Sequence, residues 1–191
     1  MYEPKNFERL LGTEGFSDAL LRNHFTLYEG YVSNVNKVND FLKTSEVGIP
    51  TWAELKRRFG WEWDGMRLHE LYFGNLIKGG SVLDKKSPLV SSIVKEWGSF
   101  DVWEKDFRAT GAMRGIGWVA LVCDNETGRL FNIWINEHES GHLSGGRVLL
   151  VIDVFEHAFA LDYGIKRADY ISAFWNAIDW EVVVNRFVAD K

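Results

Sequence analysis

Apolar residues recur every three or four positions up to about residue 110, and beyond it they gather into short continuous runs rich in β-branched and aromatic residues. That change of period calls for a helical first part and a sheet-forming second part, because a helical pattern cannot keep one face buried as a strand. From Gly15 to about Lys43, Phe16, Leu20, Leu21, Leu27, Tyr31, Val35 and Val38 make one apolar stripe, with Ser17 or Asp18 as N-cap. Thr51 and Glu54 have capping-box spacing ahead of a short second helix closed by Gly60. A third helix is expected from Trp63 to Ile77, stopped by Gly79-Gly80. The polar stretch from Gly79 to Pro88 marks a boundary.

Two helical segments follow, about Leu89–Trp97 and Val102–Thr110. The runs Trp118–Cys123 and Leu130–Ile135, separated by the turn residues Asp124–Gly128, read as a hairpin, and Val148–Ile152 reads as a third, buried strand. A helical segment from Asp169 to Val188 completes the chain. The expected fold is α+β: an N-terminal helical hairpin domain over 1–80, then a mixed α/β domain over 81–191 with a small antiparallel sheet of about three strands flanked by helices.

The 191 residues suffice to bury a core without disulfide staples, and the single cysteine, Cys123, lies in an apolar run that suits a buried core thiol. The first residues lack a signal-peptide pattern and no long apolar run occurs, so a soluble, cytoplasmic protein with no membrane partner is expected. A formal net charge of -5 argues against nucleic acid as a partner. Nine tryptophans and thirteen phenylalanines supply aromatic area for a dense core, an interface or a dry site.

Of five histidines, His24 and His69 fall on the inward stripes of their helices, where a hydrogen-bonded core histidine is the bland reading of each. The segment Val151-Ile-Asp153-Val-Phe-Glu156-His157 is more demanding. An ionised aspartate ending an apolar strand costs several kcal/mol unless a cation or a helix cap compensates it. Three imidazoles and one carboxylate suit iron, manganese or zinc better than calcium or magnesium.

At these residues the chain resembles the iron/manganese superoxide dismutases. Asp153-Val-Phe-Glu-His-Ala-Phe159 is similar to that family's Asp-x-Trp-Glu-His-Ala-Tyr, and the likeness continues through Arg167–Trp180. His24 with Tyr31-Val-Ser-Asn-Val-Asn36, His69–Leu76 and Gly115–Trp118 resemble the family's two ligand helices and its glycine-tryptophan strand start. The resemblance implies one Fe or Mn ion per chain on His24, His69, Asp153 and His157, with solvent as fifth ligand, cycling to dismute superoxide. It implies Tyr31 at the substrate channel, and Trp118, Trp175 and Phe73 around the metal. Arg167 would steer the anion, and Glu156 would reach His157 of the partner subunit in a homodimer or dimer of dimers.

Several positions depart from the family pattern. Leu27 and Tyr28 replace a histidine, Ala160 replaces the tyrosine that meets it across the dimer, and His24 to Tyr31 is one residue short. The family's solvent-binding glutamine has no counterpart at Gly65, so the donor role falls to His138, with Glu137 as the competing alignment. The histidine variant implies a lean to iron with some use of manganese. A non-catalytic structural or partner-binding relative, and a non-haem iron oxygenase with two histidines and a carboxylate, are the rival readings.

Overall fold

The computed structural model describes residues 1–189. Ser17 starts the first long helix by accepting a hydrogen bond from Leu20 N–H at 3.1 Å, and α1 (Asp18–Thr44) follows without interruption. Its buried face carries Leu20, Leu21, His24, Tyr28, Tyr31, Val32, Val35 and Val38. Leu27, expected on that face, is only half-buried, and Tyr28 takes the interior position.

The expected break at Gly60 is absent: α2 (Pro50–Gly74) is one helix packed along α1. Glycine inside a helix costs only about 1 kcal/mol relative to alanine, and the Arg58–Glu62 pair one turn apart bridges this point at 2.7 Å. The capping box at Thr51 is not formed either, because the helix already starts at Pro50, whose fixed φ suits the first helical position.

Two shorter helices, α3 (Pro88–Trp97) and α4 (Phe100–Gly111), are capped by the hydroxyls of Ser87 and Ser99. They lead into β1 (Gly117–Asp124), β2 (Leu130–Asn136) and β3 (Gly146–Asp153), an antiparallel sheet in the order β2-β1-β3. The central β1 is buried from Gly117 to Cys123. Its register sets Trp118 between Ile135 and Asp153, which brings an indole beside the carboxylate that ends β3. A 3-10 turn (Glu156–Ala158) and α5 (Ala160–Tyr163) follow.

The single C-terminal helix expected from the sequence is two, α6 (Arg167–Asn176) and α7 (Trp180–Val188). The chain between them is held by the end of α2: Leu76 and Ile178 form a β-bridge, Asp179 N–H donates to Asn75 O at 2.8 Å, and Ser81 N–H donates to Ile178 O at 2.9 Å. These tertiary bonds take backbone groups that a continuous helix would have used.

That junction is also clamped by arginines. Arg9 donates to Leu76 O and Phe73 O, while Arg186 donates to Leu71 O, Leu149 O and the Asn75 side chain. With no basic residue in its own last turn, α2 has its terminal carbonyls satisfied from outside. Burial pushes the Arg186 guanidinium down to about 10. Asn75, fully buried, bonds both N–H and C=O of Val151, so it ties α2 to the strand carrying Asp153. Among the described residues, no helix is long and apolar enough to cross a membrane.

Candidate metal centre

His24 and His69 come from the facing surfaces of α1 and α2, Asp153 from the end of β3, and His157 from the 3-10 turn that follows. Their ligand atoms all lie within 4.8 Å of one another. The nearest approaches are to one oxygen: Asp153 Oδ2 is 3.2 Å from His24 Nε2, 3.1 Å from His157 Nε2 and 3.6 Å from His69 Nε2. The other oxygen, Oδ1, accepts from Phe155 N–H at 2.8 Å, and the Tyr170 hydroxyl donates to Asp153 O at 2.7 Å. Carboxylate and backbone are thus both fixed.

His69 shows what the cavity is built to receive. Its Nδ1 lies 2.6 Å from Gly65 O, a pure acceptor, so Nδ1 carries the proton and Nε2 presents a lone pair. That Nε2 is fully buried and has no hydrogen-bond partner. A lone pair aimed at a carboxylate oxygen is repulsive unless a cation lies between them. Electrostatics agree. Burial lowers His69 far below the usual imidazole range, assisted by His24, and burial also lowers His24 against the pull of Asp153. Burial opposes ionisation of Asp153, but the charges and hydrogen bonds of His157 and His24 outweigh it and hold the carboxyl far below its usual range. The imidazoles of His24 and His69, whose burial disfavours a positive charge, lie beside an anion in a pocket where Asp153 and His69 are wholly buried, which fits a redox-metal ion of the iron or manganese type.

Around the four residues lies an aromatic wall. Phe73 packs 4.9 Å from His24 and Trp118 packs 4.9 Å from His69, edge to face, as expected. Trp175 does not join them: its ring contacts are with Trp103, Phe107 and Trp180, and Arg108 covers its face. Sequence reasoning missed three neighbours. Tyr72 stacks near His24, Phe155 lies 5.1 Å from His157, and Trp61 covers the outer side of Tyr31 and His138. Trp61 was hidden by the expected break at Gly60, since only a continuous α2 carries it to this position.

Tyr31 and His138 meet at the site, with Tyr31 Oη 2.7 Å from His138 Nε2. Seven residues of regular helix return a side chain to within about 20° of its starting direction, so the short spacing from His24 leaves both on one face of an unbroken α1. The ring of Tyr31 rests directly on Gly65, where a Cβ would come within 2.6 Å of Cδ1. The ring therefore fills the space that a side chain at position 65 would need.

His138 is fully buried, whereas Glu137 is exposed, sits at a left-handed φ of 51° and accepts from Trp61 Nε1 at 3.1 Å. Trp118 Nε1, which can only donate, lies 3.1 Å from His138 Nδ1. Nδ1 is thus the acceptor, and neutral His138 carries its proton on Nε2, pointing at Tyr31. Burial pushes His138 down to about 4, and burial followed by the charge of Asp153 pushes Tyr31 above the usual phenol range. His142 pins this loop by bonding His138 O at 2.8 Å. Tyr28, at one of the departures from the family pattern, instead accepts from Lys5 N–H and donates to Glu70, and Ala160 is exposed.

A family model described as "Iron/manganese superoxide dismutases, C-terminal domain" matches residues 85–186. The chain is 34% identical to a "Superoxide dismutase [Fe]" of Cupriavidus metallidurans, over 92% of this chain and 90% of the relative. It is also 34% identical to a "Superoxide dismutase [Fe]" of Aquifex pyrophilus, over 97% and 90%. To "Superoxide dismutase [Mn] 2" of Haloferax volcanii it is 31% identical, over 88% and 85%. With relatives aligned along nearly their whole length, the chain belongs to the iron/manganese superoxide dismutases.

Proposed function

We propose that His24, His69, Asp153 and His157 hold one iron or manganese ion, and that the protein converts two superoxide anions and two protons to dioxygen and hydrogen peroxide. The observation that carries the site is the buried, unpartnered Nε2 of His69 facing Asp153 Oδ2 at 3.6 Å. An iron or manganese ion bound there would supply the alternating one-electron oxidation and reduction that dismutation needs. The iron-named relatives and His138 in place of a glutamine support a lean to iron, with manganese accepted as well.

The chain's own residues supply orientation, dryness and proton control. Gly65 O fixes the His69 tautomer, Phe155 N–H orients the Asp153 carboxylate, and Phe73 and Trp118 keep water from the ligands. Because Trp118 holds the proton of His138 on Nε2, Tyr31 Oη accepts that bond and its own proton is free to point at an incoming anion. Tyr31 and His138 thus form a proton-bearing pair beside the site. A two-histidine oxygenase would leave its third imidazole free, and a non-catalytic relative has no use for an unpaired buried lone pair.

Ligands come in equal number from the helical part, 1–80, and the mixed part, 81–191, which supports a site between two domains. His157 is the ligand with substantial exposure, 29% of its side chain, and it borders an exposed Glu156 and a groove with Met113, Ala160 and Ile165. This supports a homodimer in which Glu156 orients His157 of the partner subunit. The buried, unpaired Cys123 suits a reducing cytoplasm.

The test is reconstitution of metal-free protein with ferrous or manganous ion separately, measuring metal content and superoxide consumption. One equivalent per chain with activity is expected, iron giving the higher value, and His138→Gln should change the iron-to-manganese activity ratio. Absence of stoichiometric binding by either metal would overturn the site.

A further inference from the structure

The substrate is an anion and the protein carries a formal net charge of -5, so an approaching superoxide meets repulsion unless a local cation offsets it. Arg167, the expected candidate, has its two terminal nitrogens committed to Met113 O at 2.7 Å and Gly115 O at 2.9 Å. A different cation lies over Trp61, the ring that covers the proton-bearing pair. Trp61 packs 4.5 Å from His138 and 5.5 Å from Tyr31, and the guanidinium of Arg58 lies over the Trp61 ring, 3.9 Å from its centroid.

We propose that Arg58, held on the face of Trp61, is the positive charge that draws the substrate anion toward Tyr31. Its position is fixed: Nε donates to Glu62 Oε1 at 2.7 Å, and Glu62, only 3% exposed, also accepts from Asn34. Among the described residues neither terminal nitrogen of Arg58 has a protein acceptor, and the side chain is 49% exposed. It presents its terminal N–H groups to solvent beside Trp61. Its charge reaches inward as well, acting on both Tyr31 and His138 in the direction that favours an anion there. Of the acidic groups nearby, Glu62 is engaged by Arg58, Glu137 by Trp61 Nε1, and Asp64 lies 3.8 Å from His142, while Glu139, beside Asp64, stays exposed to solvent. Arg58 therefore offsets a buried Glu62 carboxylate that unpaired would repel the anion, and it turns the positive, solvent-facing end of the ion pair toward the approaching substrate.

The inference rests on the metal site proposed above, and azide, a monoanion that can occupy an open metal position, probes it without turnover. For the metal-loaded protein, Arg58→Gln should raise the azide Kd about three- to tenfold at low ionic strength, the order expected for losing one unit charge near the site at an effective dielectric between those of protein and water. The gap should close near 0.5 M salt, where the Debye length is only about 4 Å. Arg58→Lys should keep most of the affinity, and Glu62→Gln should tighten it. Superoxide kcat/KM should follow the same order and the same salt dependence. Equal azide affinity and salt slope in Arg58→Gln and the parent would overturn the role of Arg58 while leaving the metal site intact. Loss of metal in both Arg58 variants would overturn it in favour of a structural role, and absence of metal in the parent would overturn the site itself.

Discussion

Replacing Gly65 with alanine adds a carbon 2.6 Å from Cδ1 and 2.7 Å from Cε1 of Tyr31, about 1 Å inside the ~3.5 Å at which carbon atoms rest. The α2 backbone is not free to yield, because Gly65 O holds His69 Nδ1 at 2.6 Å, so the ring must move. A shift of about 1 Å would stretch the 2.7 Å contact with His138 beyond hydrogen-bonding range. Overpacking costs about 1–3 kcal/mol and the lost bond about 1 kcal/mol, against about 1 kcal/mol gained from alanine in a helix. The net expectation is a loss of about 1–3 kcal/mol, or roughly 2–12 °C in Tm for a chain of this size, read by calorimetry. Superoxide turnover should fall as well, because the Tyr31 hydroxyl is displaced. Combining Gly65→Ala with Tyr31→Ala removes the obstructing ring, so in that background the methyl group should stabilise. A Gly65→Ala protein as stable and as active as the parent would refute this account of the packing.

His69→Ala removes a ligand and leaves Asp153 short of compensation, so metal content should fall below about one tenth per chain, measured by elemental analysis; retained stoichiometric metal would contradict the assignment. Tyr31→Phe should keep fold and metal but lower turnover severalfold and alter its pH profile, with an unchanged profile counting against a proton role. His138 titrates near 4 when folded, against about 6.5 when unfolded, so between those values the unfolded chain binds more protons. Stability of the metal-free protein should therefore be complete above about pH 6.5 and fall with pH by up to about 1.4 kcal/mol per unit down to pH 4; in denaturant titrations His138→Gln should show a shallower slope. Arg186→Leu strips two backbone carbonyls and the Asn75 side chain of their donor and should cost about 2–4 kcal/mol in the same assay, with a change under about 0.5 kcal/mol refuting the clamp.

The site was legible where chemistry contradicted pattern. Asp153 interrupts an apolar strand, and His24 and His69 interrupt apolar stripes, so each announced itself against a local rule. The strands and their hairpin were equally plain, because Asp124–Gly128 separates two β-forming runs and Gly117 begins a fully buried one. What could not be read were features decided by distant partners. Gly60 looks like a stop, yet packing along α1 carries the helix through it. Residues 177–179 look helical, yet Asn75, Ile77 and Ser81 take their backbone groups. Trp175 has the right motif position, but α6 turns its ring into the Trp103–Phe107–Trp180 cluster. The pairing of Tyr31 with Gly65 joins residues 34 positions apart and has no local signature.

The clamp at the end of α2 also sets an order of events during synthesis. All four ligands are in the chain once His157 has been made, but Arg186, which holds Asn75 and hence the strand ending in Asp153, follows 29 residues later. At about 5–20 residues per second that is a delay of roughly 1.5 to 6 seconds. In that interval a growing chain owns a complete set of metal-binding side chains without the support that fixes their spacing. Arrival of α7 closes that interval, because Arg186 then ties Asn75 and the end of α2 to Leu149 of the strand that ends in Asp153.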